Sequence, residues 1–121
     1  MKFDSEQIIY NIYFNNSELE YILYGLNDRR DYFVSLNDET LNLTILSLET
    51  LIEKIKSICS SVADEDETLV SLERRELIII SHGIYNLYET YEKLNDIGIV
   101  NRIWDFYKEI EEVLAGKYPN I

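Results

Sequence analysis

Residues 38–62 read DETLNLTILSLETLIEKIKSICSSV, and the spacing of the apolar side chains in this stretch decides the fold class. These side chains recur at alternating steps of four and three residues, which is the spacing of one face of an α-helix. They are Leu41, Ile45, Leu48, Ile52, Ile55, Cys59 and Val62. Leu51 and Ile58 widen this apolar face, so we expect the helix to contact more than one neighbour.

A second apolar face predicts another long helix, which runs to about Asn95. It consists of Leu77, Ile80, Ile84, Leu87, Tyr91 and Leu94, again at steps of three and four residues. Before it, Asp64 and Glu67 have the spacing of a capping box at a helix start. Gly83 within this helix costs about 1 kcal/mol relative to alanine. Residues 77–80 also have the composition of a buried strand, which competes with the helical interpretation.

The end of the chain predicts a last helix. Asp96, Ile97 and Gly98 are expected to end the preceding helix. Apolar residues then resume at helical spacing, and they are Ile103, Trp104, Tyr107, Ile110 and Leu114. Gly116 with Pro119 beyond it is typical of a helix C-terminus, because glycine accepts the left-handed conformation and proline cannot continue the helix.

Two capping motifs near the N-terminus predict two short helices. Asp4 and Gln7 have the spacing of a capping box, which predicts a first helix over about 5–14. Ser17 and Glu20 repeat the pattern and predict a second helix directly afterwards. The sequence therefore favours helices at both positions.

A β-hairpin is the competing interpretation of this region. Residues 8–14 and 19–26 are rich in strand-forming side chains and flank an Asn-Asn-Ser turn. Residues 27–38 are mostly polar and are interpreted as a loop with a short apolar anchor. Together these patterns predict one acidic helical domain over residues 1–121, an all-α irregular bundle of about five helices. An α+β fold with an N-terminal β-hairpin is the alternative.

The charge balance constrains the choice of partner. Twenty-three acidic residues against eleven basic ones give a net charge of -12. Such a surface repels the phosphate backbone of nucleic acids and anionic membranes. The pairs Arg29-Arg30 and Arg74-Arg75 are interpreted as surface ion-pair formers rather than phosphate sites. We therefore expect a basic protein partner, without direct binding to nucleic acid or membrane.

The cysteine content and the N-terminus predict a cytoplasmic location. Cys59 is the only cysteine, so the chain has no intramolecular disulfide and no cysteine-based metal cluster. Residues 1–6 become acidic before any apolar segment of signal-peptide length. No apolar run approaches the ~18 residues of a membrane-spanning helix.

Residues that carry common catalytic chemistries are sparse. The single histidine, His82, has no Gly-x-Ser-x-Gly turn or comparable nucleophile motif to act on, and it is interpreted as a structural or surface residue. The acidic run 64–67 does not match a calcium loop, whose sixth and twelfth positions would be Leu69 and Arg75. We predict no catalytic, cofactor-binding or metal-binding residues. An enzyme that uses only carboxylates, such as a glycosidase, is an alternative from a different class, because the sequence does not reveal which carboxylates pair across the fold.

Tyrosines and acids of the second long helix form a candidate binding strip. Its members are Tyr85, Tyr88, Glu89, Glu92 and Asp96, which fall at steps of three and four beside the apolar face. Tyrosine is enriched at binding hot spots, and carboxylates suit a cationic partner. The alternative is that these tyrosines cover the bundle's edge with their hydroxyl groups in water.

Two further surfaces are candidates after this strip. The first is the acidic run Asp64, Glu65, Asp66 and Glu67. The second is a set of N-terminal side chains, namely Tyr10, Tyr13, Glu18, Glu20, Tyr21 and Tyr24.

A small acidic chain with one cysteine, carrying Tyr85-x-x-Tyr88-Glu89 and the acidic run 64–67, resembles the immunity proteins of bacterial polymorphic toxin and contact-dependent inhibition systems. The resemblance is one of overall character and transfers no residue roles. It implies a protein that binds a cognate toxin, often a basic nuclease, and occludes its active site or substrate cleft. The chain is also similar to phage-encoded inhibitors of CRISPR effectors, in which carboxylates replace phosphates at a basic site. A helical adaptor or oligomer-forming subunit is the alternative from another class.

Overall fold

The computed structural model describes residues 9–61 and 67–116, and most of these residues are helical. In chain order the elements are β1 (Ile9–Asn15), α1 (Asn16–Ser35), a single-turn 3₁₀ helix (Glu39–Leu41), α2 (Asn42–Ser61), β2 (Glu67–Glu73), α3 (Arg74–Lys93) and α4 (Ile97–Leu114). The predicted helical character is confirmed. The five-helix all-α bundle is wrong, because two strands occupy positions that were assigned to helices, and the fold is α+β.

β1 replaces the described part of the first predicted helix, which was expected over 5–14. Its inward side chains Ile12 and Phe14 are buried, and their neighbours along the strand are exposed. This alternation, carried by β-branched and aromatic side chains, favours an extended chain over a helix. The capping pair Asp4 and Gln7 lies outside the described residues.

The partner of β1 is β2, with which it forms an antiparallel ladder. Ile12 lies opposite Val70, and Tyr13 lies opposite Leu69. The hairpin alternative therefore has the right conformation for β1 but the wrong partner, because residues 19–26 belong to α1. α1 and α2 separate the two strands in sequence, so the pairing is long-range.

β2 occupies the start of the long helix that was predicted to run to Asn95, so that helix is wrong over this segment. Thr68, Val70 and Leu72 are buried and alternate with exposed side chains. A period of two buries one face of a strand, and here it outweighs the capping pattern. Glu67 is the first residue of β2 rather than part of a helix cap, and Asp64 lies outside the described residues.

α1 begins with a capping box at Asn15 and Glu18. The Asn15 side-chain oxygen accepts from the Glu18 backbone N–H at 2.8 Å, and a Glu18 carboxylate oxygen accepts from the Asn15 N–H at 2.9 Å. The box predicted at Ser17 and Glu20 is therefore wrong, because both residues lie inside the helix.

α1 is also longer than predicted and continues to Ser35, so the loop expected over 27–38 is wrong for its first nine residues. Phe33 is partly buried against the core, and the Arg29 guanidinium lies 5.0 Å from the centre of its ring. Most of the remaining side chains of this stretch are polar, as is typical of the outer face of a helix, although Tyr32 and Val34 are also exposed there.

α2 confirms the helix that was predicted from residues 38–62. Its buried side chains are Leu48, Leu51, Ile52 and Ile55. Asp38 caps the preceding 3₁₀ helix by accepting from the Thr40 backbone N–H at 2.9 Å. Lys54 reaches Glu76 of α3 at 2.9 Å, so α2 contacts α3 as well as α1. Val62 lies outside the described residues.

α3 and α4 supply the remaining helical layer. The predicted inner face of α3 is buried at Leu77, Ile80, Ile84 and Leu87. Asn95 has φ of 57°, and Asp96 caps α4, so Ile97 and Gly98 begin a helix rather than follow one. Gly116 has φ of 81°, which confirms the predicted glycine after the last helix. Pro119 lies outside the described residues.

The helices pack in the order α2, α1, α3, α4, and α1 crosses α3 at two glycines. A Cβ placed on Gly83 would lie 3.1 Å from the Gly25 carbonyl carbon, and a Cβ placed on Gly25 would overlap the Gly83 carbonyl oxygen. Glycine at both positions therefore lets the two backbones meet directly. Gly83, which appears in sequence as a cost to α3, permits the main helix contact.

Candidate functional site

Four aromatic rings meet along the contact between α3 and α4, and we call them the aromatic cluster. The ring centroids of Tyr88 and Trp104 are 4.7 Å apart, and those of Tyr85 and Tyr107 are 5.3 Å apart. Trp104 and Tyr107 stack at 5.4 Å, and Tyr85 lies 6.0 Å from Tyr88. These separations are typical of favourable aromatic pairs, so the rings form one continuous surface.

The rings of the aromatic cluster are only partly covered by the rest of the protein. Tyr85 is 42% exposed, whereas Tyr88, Trp104 and Tyr107 are partly buried. Partial burial restricts the orientation of each ring. The exposed ring edges therefore form an amphipathic part of the surface.

Sequence reasoning found Tyr85 and Tyr88 but assigned Trp104 and Tyr107 to the core face of the last helix. The buried face of α4 instead consists of Ile103, Phe106, Ile110 and Val113. These four residues follow steps of three, four and three, and they contain no polar side-chain atom. That apolar pattern is the signal that would have placed Trp104 and Tyr107 beside the core face.

Carboxylates surround the aromatic cluster on both helices. Glu89 and Glu92 are exposed on α3, and a Glu92 carboxylate oxygen accepts from the Tyr88 hydroxyl. This hydrogen bond, followed by partial burial and nearby negative charge, raises the pKa of Tyr88. Tyr88 is therefore a neutral hydroxyl donor near pH 7, held by an adjacent carboxylate.

Glu111 brings a third carboxylate to the aromatic cluster from α4. The buried Ser81 hydroxyl of α3 donates to a Glu111 carboxylate oxygen and so links the two helices. Burial, followed by the Glu111 charge and a hydrogen bond to it, raises the pKa of Tyr107. Glu92 thus lies next to Tyr88, and Glu111 lies next to Tyr107.

Asp96, the last member of the predicted strip, has a structural role at the start of α4. Its carboxylate caps the helix and accepts from the Ile99 backbone N–H at 3.4 Å. The exposed apolar side chains Leu94 and Ile97 lie on either side of it in the chain. The structure brings Tyr85 and Tyr88 together with the α4 rings and places Asp96 at the turn between the helices.

The second predicted surface is only partly described. Asp64, Glu65 and Asp66 lie outside the described residues. Glu67 is exposed at the start of β2, opposite Asn15 of β1. Its carboxylate therefore belongs to the sheet rather than to an acidic turn before a helix.

The N-terminal candidates do not form one patch. The Tyr10 hydroxyl accepts a hydrogen bond from Arg74 at 2.8 Å, and Tyr21 packs 6.4 Å from the ring of Phe106. Tyr13 and Tyr24 are exposed on β1 and α1, respectively. Glu20 is also exposed on α1, and Glu18 is the partly buried capping residue of that helix.

Comparisons of this chain with family models, with curated proteins and with solved structures returned no match. Across residues 9–61 and 67–116, no helix is both long and apolar enough to cross a membrane. In the same ranges, no group of three or more His, Cys, Asp or Glu side chains is placed to hold a metal ion.

Three side chains that could in principle act as a nucleophile or a base, Ser81, Cys59 and His82, lie in different surroundings in the structure. Ser81 is buried and hydrogen-bonded to Glu111. His82 is exposed and lines a cavity together with Arg29. Cys59 lies on α2, where burial raises the pKa of its thiol and disfavours the reactive thiolate. These three side chains do not form a nucleophile and base pair.

Proposed function

We propose that this protein is a non-catalytic inhibitor that binds a basic protein through the aromatic cluster and the carboxylates around it. In its most specific form the proposal is a cytoplasmic immunity protein that neutralises a cognate nuclease toxin by occluding its active site or basic cleft. The observation that carries the proposal is the contact of four partly exposed aromatic rings across α3 and α4, bordered by carboxylates.

The aromatic cluster supplies what a tight interface needs at its centre. Tyrosine and tryptophan bring a large contact area with few rotatable bonds, and truncating one such anchor commonly costs about 2 kcal/mol or more of binding energy. Tyr85 is the most exposed ring of the cluster and is the anchor we assign to a partner. Tyr88 and Trp104 face each other and support it from the helix contact.

The carboxylates supply attraction at a distance. Glu89 and Glu92 are exposed and belong to a chain with a net charge of -12, so their field extends into solvent. Exposed charges of this kind mainly accelerate association with a partner of opposite charge. A nuclease cleft that binds nucleic acid through lysine and arginine is such a partner.

Packing between α3 and α4 explains part of the aromatic cluster without any partner. Trp104 and Tyr107 are partly buried, and their contacts with α3 stabilise the fold. Packing between the helices accounts less well for Glu89 and Glu92, because both side chains are exposed. The binding proposal therefore depends on Tyr85, Glu89 and Glu92 more than on the rings between the helices.

The proposal is tested by capture and inhibition assays with the toxin-like products of neighbouring genes. Glu89→Lys with Glu92→Lys is the test variant. Glu49→Lys with Glu53→Lys is the matched control, because both residues are exposed on α2 and the change in charge is the same. We expect the parent and the control to capture and inhibit a basic nuclease, and the test variant to lose affinity. Equal inhibition by all three proteins would contradict the assigned surface, and failure of the parent to inhibit any candidate would contradict the function.

A further inference from the structure

A groove lies between β1 and α4, away from the aromatic cluster, and we call it the β1–α4 groove. Its apolar floor consists of Ile12, Phe14, Phe106, Ile110 and Val113, and it encloses about 300 Å³. The rings of Phe14 and Phe106 meet edge to face, with centroids 5.9 Å apart and planes at 89°. The floor is therefore a rigid part of the core that is open to solvent along one side.

Carboxylates border this groove where it continues toward the start of α1. A second hollow of about 380 Å³ shares Glu18, Phe106 and Glu109 with the first, so the two form one continuous depression. Asp105 lines the second hollow and adds a further carboxylate. Arg102 is the one basic residue among the described residues that line it, so acids outnumber bases along the border.

The carboxylates of Glu18 and Glu109 repel each other, and neither is paired with a described lysine or arginine. The capping box holds Glu18 in place at half-buried depth, where burial raises the pKa of its carboxyl. The charges of Glu109 and Glu67 raise this pKa further, while the Asn15 N–H lowers it. Within residues 9–61 and 67–116, no lysine or arginine forms an ion pair with Glu18 or Glu109. A cation from outside would relieve this repulsion.

We infer that the β1–α4 groove receives an arginine side chain from a basic protein partner. The apolar stem would lie over Phe106 and the rest of the floor, and the guanidinium would meet the carboxylates of Glu18 and Glu109. Arginine fits better than lysine because its planar guanidinium group stacks on aromatic rings and can donate two parallel hydrogen bonds to one carboxylate. The inference rests on the proposed function in that it assigns one group of the same basic partner to a second surface.

The groove is tested directly with n-butylguanidinium chloride, which mimics the arginine side chain. We expect its addition to the ¹⁵N-labelled protein to shift the backbone amide resonances of Phe14, Glu18, Phe106 and Glu109 in a saturable way. A ligand of this size binds in the millimolar range at best. Sodium chloride and n-butanol are the controls for the charge and for the apolar stem, respectively, and neither should reproduce the pattern.

Glu18→Gln with Glu109→Gln is the matching variant, because glutamine at position 18 can maintain the capping box. We expect this variant to keep its fold and to bind n-butylguanidinium at least about tenfold more weakly, since charge-assisted bonds to the guanidinium are lost. Equal binding by the folded variant, or shifts no larger than those caused by sodium chloride, would overturn the arginine site.

The groove and the proposed function fail in different ways. If n-butylguanidinium occupies the groove but no basic protein is captured, the arginine site stands and the inhibitor proposal falls. If a partner is captured and only the Glu89 and Glu92 variant weakens it, the inhibitor proposal stands and the groove inference falls. If light scattering shows a dimer of the free protein that the Glu18 and Glu109 variant dissociates, the occupant is a second copy and the inference of a foreign partner falls.

Discussion

Individual residues set how closely the helices of this protein approach one another. Gly25 and Gly83 lie within α1 and α3, where glycine costs about 1 kcal/mol relative to alanine. Each faces the backbone of the other helix without an intervening side chain. The packing gained from this close approach offsets the low helix propensity of glycine. Replacing one of these glycines with alanine should therefore destabilise the protein through steric overlap, despite the higher helix propensity of alanine.

Gly25→Ala should lower the free energy of unfolding by about 1 to 3 kcal/mol, the usual range for overpacking a core contact. Gly98→Ala is the control, because a Cβ there would meet only the Asp96 carboxylate, at 4.0 Å. The control should leave stability unchanged or raise it by up to about 1 kcal/mol. Urea unfolding followed by circular dichroism measures both, and equal stability of the two variants would contradict the glycine contact.

Glu18 makes the stability of the protein depend on pH. Its pKa is raised in the folded state, chiefly by burial and then by Glu109 and Glu67. The folded protein therefore binds a proton at this site more readily than the unfolded chain does. The resulting stabilisation is complete below the unfolded pKa of about 4.3 and is lost as pH rises through the higher folded value.

Glu18→Gln should consequently be more stable than the parent at pH 7, and its advantage should shrink as pH falls toward 4. Urea unfolding of both proteins across this range measures the difference. Glu20→Gln, an exposed change in the same helix, controls for the altered net charge. An advantage for Glu18→Gln that stays constant with pH, or that appears equally in the control, would rule out this origin of the pH dependence.

At the level of secondary structure, sequence predicted the elements whose signal is local. α2 was found because its apolar face repeats over several turns, even though Leu43 and Leu46 are exposed outside that face. β2 was missed, and β1 was given only in the hairpin alternative and with the wrong partner. Each strand depends on a partner far away in the chain, with Asn11 and Ser71 hydrogen-bonded across a separation of 60 residues. Local capping patterns compete with such pairing and contain no information about it.

The sequence predicted the part of the candidate site that lies on α3 but not its contact with α4. Tyr85 and Tyr88 share a helix with Glu89 and Glu92, so their spacing alone places them side by side. Their contact with α4 depends on how two helices pack, which the helical period does not specify. The β1–α4 groove was invisible for the same reason, since its floor combines a strand and a helix from opposite ends of the described chain.

The alternation of β2 gives a test of the sheet. Leu72 is fully buried and Leu69 is 49% exposed on the opposite face. Leu72→Ala should lower the free energy of unfolding by about 2 to 5 kcal/mol, whereas Leu69→Ala should change it by less than about 1 kcal/mol. Urea unfolding distinguishes them. Similar losses at both positions would mean that the two faces of this segment are not buried differently.

The molecule as a whole combines a high negative charge with the two surfaces that we propose bind a basic protein. The aromatic cluster lies between α3 and α4, and the β1–α4 groove lies between α4 and the sheet, so α4 contributes to both. A net charge of -12 attracts a basic protein from every direction, but attraction alone does not choose a face. Local charge near the aromatic cluster should therefore affect association more than the same charge placed elsewhere.

The decisive measurement is the association rate constant with a captured basic partner as a function of salt concentration, by stopped-flow fluorescence. Glu89→Lys with Glu92→Lys is compared with Glu49→Lys and Glu53→Lys, since both double variants change the net charge from -12 to -8. At low salt we predict that the α3 variant associates about tenfold more slowly than the α2 control and depends less on salt. Equal rates and equal salt dependence for the two folded variants would contradict binding through the aromatic cluster.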